Sequence, residues 1–142
     1  MNRDKLSELY KKYNLTKDDV FKHQHYVIIT RTGIEKIEAQ EKIHIVYKCI
    51  KSEPNFAVVQ AFGTMDGKQM ETFGSAYKGA TFKEGNTNTW YVTEMAEKRA
   101  FSRIVLKLTG FYALGVFGED ESEDFKKQKV NNRYLLWKHT VS

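Results

Sequence analysis

The spacing of apolar side chains changes period along the chain, and each change marks an element. Leu6, Leu9, Tyr10 and Tyr13 recur at helical spacing behind Asn2, a residue suited to capping, and predict a first helix. Thr16, with Asp19 three residues on, has the form of a cap and predicts a short second helix. Tyr26 to Thr30 is β-branched and aromatic and predicts a short strand, broken at Thr32-Gly33. Ile34 and Ile37 fit either a short helix or an irregular lead-in. From Ile43 to Ile50 the pattern alternates, with Ile43, Ile45, Tyr47 and Cys49 on one side. Lys51 to Asn55, with the only proline, reads as a turn, and Phe56 to Phe62 as a second strand. Asp66-Gly67 is a strong hairpin signal. Lys68 to Tyr77 returns as a third strand. It sets Met70, Thr72, Gly74 and Ala76 against Glu71, Phe73, Ser75 and Tyr77 on the opposite face. A polar stretch, 79–88, separates it from a long helix that begins at Asn88 or Thr89, contains no glycine or proline, and ends at Thr109 before Gly110.

These elements predict an α+β fold. An antiparallel three-stranded β-meander is followed by a long packing α-helix, a β-β-β-α core, with helical segments in front. Residues 1–118 are expected to form one domain, and 119–142 an acidic linker and basic C-terminal tail. On the long helix, Ala100, Phe101, Ile104, Val105 and Leu108 share an arc of about 140°, the side expected to cover the sheet. Arg99, Arg103 and Lys107 recur every four residues, in a stripe about 130° from that arc. Like charges so placed repel by a few tenths of a kcal/mol, and no acid inside the stripe offsets this. The stripe reads either as a row of phosphate contacts about 6 Å apart, matched to an extended single strand, or as a solvated face favoured by the helix dipole.

With 41% hydrophobic and 13% aromatic residues in 142, the chain can bury a core, which excludes a wholly disordered protein. The net charge of +5 says little alone, but its distribution is uneven. Residues 119–124 are almost all acids, and residues 125–142 carry five bases and no acid. One cysteine, Cys49, excludes an internal disulfide and multi-cysteine zinc motifs. No apolar run approaches the roughly 18–20 residues of a membrane span, and the first residues lack a signal peptide's apolar stretch. A cytoplasmic protein without a membrane partner is expected.

Candidate chemistry narrows further. No Ser-His-Asp spacing and no glycine-rich phosphate loop supports a nucleophilic or nucleotide-hydrolysing enzyme. Glu94 and Glu97 resemble a carboxylate pair, with Glu71 and Asp66 as possible additions. They equally suit the first turns of a helix, so no catalytic role is expected. His23 and His25, with His44, offer metal ligands or ordinary surface histidines; no metal and no cofactor is expected. Aromatic and basic residues adjoin at Tyr77-Lys78, Phe82-Lys83 and Trp90-Tyr91. Rings beside cations hold single strands by stacking, though each ring alone also suits a core position. Tyr77 and Trp90, flanking the basic loop, are the preferred stacking pair. The apolar residues Tyr134 to Trp137 in the basic tail suggest docking on a neighbouring subunit or on the chain's own domain.

After its three-strand meander the chain reads Glu94-x-Ala96-Glu97-Lys98-Arg99-Ala100, then Arg103, Leu106-Lys107, Gly110 and Ala113-Leu114-Gly115. This pattern resembles the single-strand annealing recombination proteins, the family of the ring-forming eukaryotic annealing mediator and its phage counterparts. The likeness is nearest to small phage or prophage members, in which a Met-Ala-Glu-Lys-Arg-Ala helix, here Met95 to Ala100, precedes an acidic stretch, here Glu119 to Asp124. It covers about residues 26–125. The resemblance implies a β-β-β-α core assembling into rings or arcs. It also implies single-stranded DNA in a basic groove built by helix and hairpins, and annealing without nucleotide hydrolysis. It carries groove roles to Lys98, Arg99, Arg103 and Lys107.

The expected function is therefore single-stranded DNA binding and strand annealing of a phage or mobile-element type. Arg99, Arg103, Lys107 and Lys98 would meet phosphates, Arg31, Lys78 and Lys83 would extend the track, and Tyr77 and Trp90 would stack on bases. The partners would be single-stranded DNA and further copies of the chain. Two alternatives stand beside it: a double-stranded RNA or DNA-binding module, and a non-catalytic oligomeric assembly protein whose acidic and basic segments pair between subunits.

Overall fold

A computed structural model describes residues 3–79, 85 and 91–121. In chain order the elements are α1 (Arg3–Lys12), β1 (Val20–His23), β2 (Tyr26–Ile29), α2 (Arg31–Glu41), β3 (His44–Glu53), β4 (Phe56–Met65), β5 (Lys68–Tyr77), α3 (Val92–Thr109) and β6 (Val116–Gly118). The fold is α+β. β3, β4 and β5 form the expected antiparallel meander, in that order across one sheet. Asp66 and Gly67 both take positive φ and close the β4–β5 hairpin, with Met65 paired to Lys68. β3 runs past its expected end to Glu53, and a bulge between Cys49 and Lys51 absorbs the irregularity.

One face of this sheet is made of small residues, and that face takes the helix. Ala57, Val59, Ala61, Gly63 and Met65 of β4 and Thr72, Gly74 and Ala76 of β5 are buried beneath α3. At Gly74 an added Cβ would run into the carbonyl oxygen of Ala96 and the backbone nitrogen of Ala100. At Gly63 it would lie 2.7 Å from an Ile104 side-chain carbon. Helix and sheet are thus in near-backbone contact, a close approach that side chains beyond glycine would prevent. The expected arc of α3, Ala100, Phe101, Ile104, Val105 and Leu108, is buried. Each Leu or Ile so placed contributes about 1.5–3 kcal/mol.

A second layer covers the other side of α3, and the sequence patterns did not predict it. β1 and β2 form a hairpin, and β6 pairs in parallel with β2, Val27 opposite Val116 and Ile29 opposite Gly118. α2, left open as helix or irregular chain, is a helix. The Thr30 hydroxyl accepts from the Gly33 backbone N–H at its start, and Ile34 and Ile37 are buried. Held between the meander and this second layer, α3 also buries Val92, Ala96, Arg99, Ser102 and Leu106. Its pattern counts two apolar faces, not one.

Two local expectations are corrected. The chain after Thr16 forms a turn into β1, not a short helix. The Asp19 carboxylate accepts from the Thr16 backbone N–H at 2.9 Å and pairs with Lys36 Nζ of α2 at 2.7 Å, so a tertiary contact fixes the turn. Burial opposes ionisation of Asp19, but these donors outweigh it and hold its carboxyl below the ordinary aspartate value. The acidic stretch was expected as an unpacked linker, yet Glu119–Glu121 form a short 3-10 turn on the body, with Glu121 buried. The basic tail, the rest of the acidic stretch, and the loop residues Phe82, Lys83 and Trp90 lie outside the described residues. Among the described residues no helix is long and apolar enough to cross a membrane.

Candidate nucleic-acid interface

The expected phosphate stripe turns inward. Arg99 is 1% exposed. Its Nε donates to the Asp120 carbonyl at 3.2 Å and its Nη1 to the Ser75 carbonyl at 3.1 Å. One turn later, Arg103 donates through Nη1 to the Phe73 carbonyl at 2.7 Å and through Nε to Glu121 Oε1 at 3.2 Å. Ser75 and Phe73 lie on β5, the last strand of the sheet, where carbonyls on the far side have no strand partner among the described residues. The two guanidinium groups supply donors to these carbonyls. The solvent-facing orientation expected for Arg99 and Arg103 is therefore corrected: the second layer covers the side of α3 that carries them.

Carboxylates take up the neighbouring cation as well. Arg31 Nη1 lies 3.4 Å from Asp120 Oδ2, its Nε lies 3.1 Å from Glu35 Oε1, and its guanidinium stacks 4.5 Å from the Phe101 ring centroid. Asp120 Oδ2 also accepts from the Ser102 hydroxyl at 2.7 Å, and Glu119 Oε1 accepts from the Arg31 backbone N–H at 3.2 Å. The 119–121 turn thus clasps α2 to α3. Lys107 Nζ sits 5.6 Å from the Tyr112 ring centroid, over a shallow depression lined by Met70, Glu71 and Ala113. Lys98 is exposed on α3, and Lys78 is half-buried with its backbone N–H donated to Asn55. The structure does not bring these residues together as one cationic groove.

It assembles a different surface. Because the small residues of β4 and β5 face α3, the alternate positions face outward, and these carry the rings. Phe56 lies opposite Tyr77 across the β4–β5 ladder, and their rings meet edge to face with centroids 6.1 Å apart. Phe62 is 38% exposed, Phe73 46% and Tyr77 41%. Val58 shares this face. β3 continues it with Val46 opposite Phe62, Lys48 opposite Gln60 and Lys51 opposite Val58. Lys51 Nζ lies 5.7 Å from the Phe56 ring centroid and 3.5 Å from Glu53. Of the expected stacking pair, Tyr77 belongs to this face and Trp90 lies outside the described residues. Phe56, Phe62, Phe73, Lys48 and Lys51 were not singled out from the sequence. Their signal is the alternation itself, glycine and alanine on one parity of β4 and β5 and aromatics on the other.

Glu94 and Glu97 are exposed on α3, whereas Glu71 sits on the outer sheet face, so the acids weighed as a catalytic group do not converge. His44 opens β3 in one sheet, and His23 belongs to the other. Among the described residues no three His, Cys, Asp or Glu side chains gather as a metal site. No family model, no curated protein and no solved structure matches the chain.

Proposed function

We propose that the protein binds single-stranded DNA on the outer face of the β3–β4–β5 sheet and promotes strand annealing without nucleotide hydrolysis. The observation that carries this reading is the inverted sheet: glycine and alanine meet the helix, while Phe62, Phe73 and Tyr77 are exposed on the opposite face with Phe56 half-buried beside them. Rings left exposed on a sheet provide stacking surfaces for unpaired bases. Phe73 pairs with Gln60, so Phe62 and Phe73 are diagonal neighbours, about 7–8 Å apart by sheet geometry, with room for a base on each. The resemblance of the α3 motif to the annealing proteins supports DNA and annealing as the specific activity.

Charge plays a smaller part than stacking on this face. Lys48 and Lys51 are balanced by Glu53 and Glu71, so the salt dependence is shallow. Two lysine–phosphate contacts give a slope of about −1.4 in log affinity against log salt. Fluorescence anisotropy of a labelled oligonucleotide tests the reading. Phe62→Ala/Phe73→Ala should bind at least about tenfold more weakly, since each stacked base contributes about 1–3 kcal/mol, with the melting temperature unchanged because both rings are exposed. A wild-type protein that ignores the oligonucleotide at low salt, or a double variant that binds as tightly, refutes it. A hairpin that outcompetes a single strand of equal length would favour the duplex-binding alternative.

A further inference from the structure

We infer that the outer edge of β3, which no strand borders among the described residues, is a joint for a second copy of this chain, paired antiparallel about a two-fold axis so that the two sheets become one. β3 ends the sheet, and every residue of it except Ile45 is exposed. Its exposed apolar side chains are Val46 (51% exposed) on the outer face, Tyr47 on the opposite face, and Ile50 at the bulge. A ten-residue strand with exposed apolar side chains and no strand beside its outer edge among the described residues can receive strand addition. The other end of the sheet offers no such template, because Arg99 and Arg103 already occupy the β5 carbonyls at Ser75 and Phe73. Head-to-tail growth needs two open edges. With one open, edge pairing closes as an isologous dimer. A ring or arc, as the family resemblance implies, would have to be built from other surfaces.

The strand is suited to meeting itself. An axis at Lys48 sets that residue against its own copy and carries Tyr47 toward the partner's Cys49, two positions on one face of the strand. A two-fold axis relating antiparallel strands stands perpendicular to the sheet. Both ring-bearing faces therefore lie on the same side, and both α3 helices on the other. The axis also reverses direction in the plane, so two DNA strands bound identically, one per copy, run antiparallel and side by side, the arrangement annealing requires. Lys48 and Lys51 of both copies line the seam on that face, where a polyanion offsets their mutual repulsion. The annealing consequence rests on the function proposed above; the joint itself does not.

The only cysteine of the chain, Cys49, reports the joint directly. Pairing centred anywhere from Tyr47 to Ile50 brings the two Cys49 thiols within about 15 Å, at about 3.4 Å rise per residue. A bis-maleimide of that span should yield a covalent dimer and nothing larger without DNA, and a higher yield with a single-stranded oligonucleotide present. Cys49→Ser should abolish the product. Tyr47→Asn/Ile50→Asn should lower the yield at least fivefold and slow annealing, while circular dichroism and oligonucleotide affinity per chain stay unchanged. A wild-type chain that sediments as a monomer and does not cross-link, with or without DNA, overturns the inference. So does a dimer whose Cys49 thiols are out of the reagent's reach. Cross-linking in a protein that does not bind oligonucleotides leaves the joint standing and removes the nucleic-acid reading instead.

Discussion

The outer strands of the β3–β4–β5 sheet are equal in length and opposite in surroundings. β5 carries none of the usual protections of an edge: no proline, no bulge, and lysine only at its first position. It is closed from outside, by guanidinium groups that reach across from α3 and are held in turn by the 119–121 turn. β3 carries a bulge and two lysines of its own, and among the described residues no strand lies beside its outer edge. Whether a strand edge is available to another chain is decided here by what packs beside it, not by the strand's own residues. Arginines that look like a binding stripe in the linear pattern serve to finish the sheet.

That contrast can be broken at β5 first. Arg99→Ala should cost about 3–5 kcal/mol, because it removes a donor from the Ser75 and Asp120 carbonyls and empties a fully buried site. Arg99→Lys should recover little, since a single ammonium cannot reproduce the guanidinium fork. Urea unfolding measures both, and a loss below about 1 kcal/mol would mean that the closed edge is incidental. Arg103→Ala should cost less, about 1–2 kcal/mol, because its side chain is 28% exposed and water replaces part of what is lost. Part of that cost is the loss of the Arg103–Glu121 ion pair, so a double-mutant cycle with Glu121→Gln should show a measurable coupling between the two.

The smallest effect reads the open edge. Partial burial, followed by the nearby carboxylates of Glu97 and Glu38, pushes the Tyr47 phenol up to about 12, and Arg31 opposes this. The folded chain favours the neutral phenol. Its contribution to stability is therefore complete below pH 10, the ordinary tyrosine value, and is lost as pH climbs toward 12. An ultraviolet difference titration of wild type against Tyr47→Phe should show that late midpoint. Cross-linking at Cys49 should shift it later still if β3 pairs with a copy, and leave it in place if it does not.

The meander and the long helix were legible because their patterns are local. β3, β4 and β5 alternate, Asp66-Gly67 marks the hairpin, and α3 repeats at helical spacing up to Gly110. Arg99 was not, because periodicity places a residue on one side of a helix without saying what lies on that side. β6 spans three residues, too few for a pattern to declare a strand, and its parallel partner β2 lies far away in sequence. The platform was half legible. The two parities of β5 separate cleanly in the sequence, but only the contact of Gly74 with the α3 backbone decides which parity is covered and which keeps its rings in water.

The pairing of β2 with β6 has a kinetic consequence. During synthesis the N-terminal hairpin emerges early, with one side of Tyr26–Ile29 unoccupied, and must wait for Val116–Gly118 before its ladder is complete. Such distant closure slows folding, because the intervening chain has to be gathered first. A chain truncated before residue 116 would keep the residues of the meander and helix but leave the β6 side of Val27, Ile28 and Ile29 without its strand.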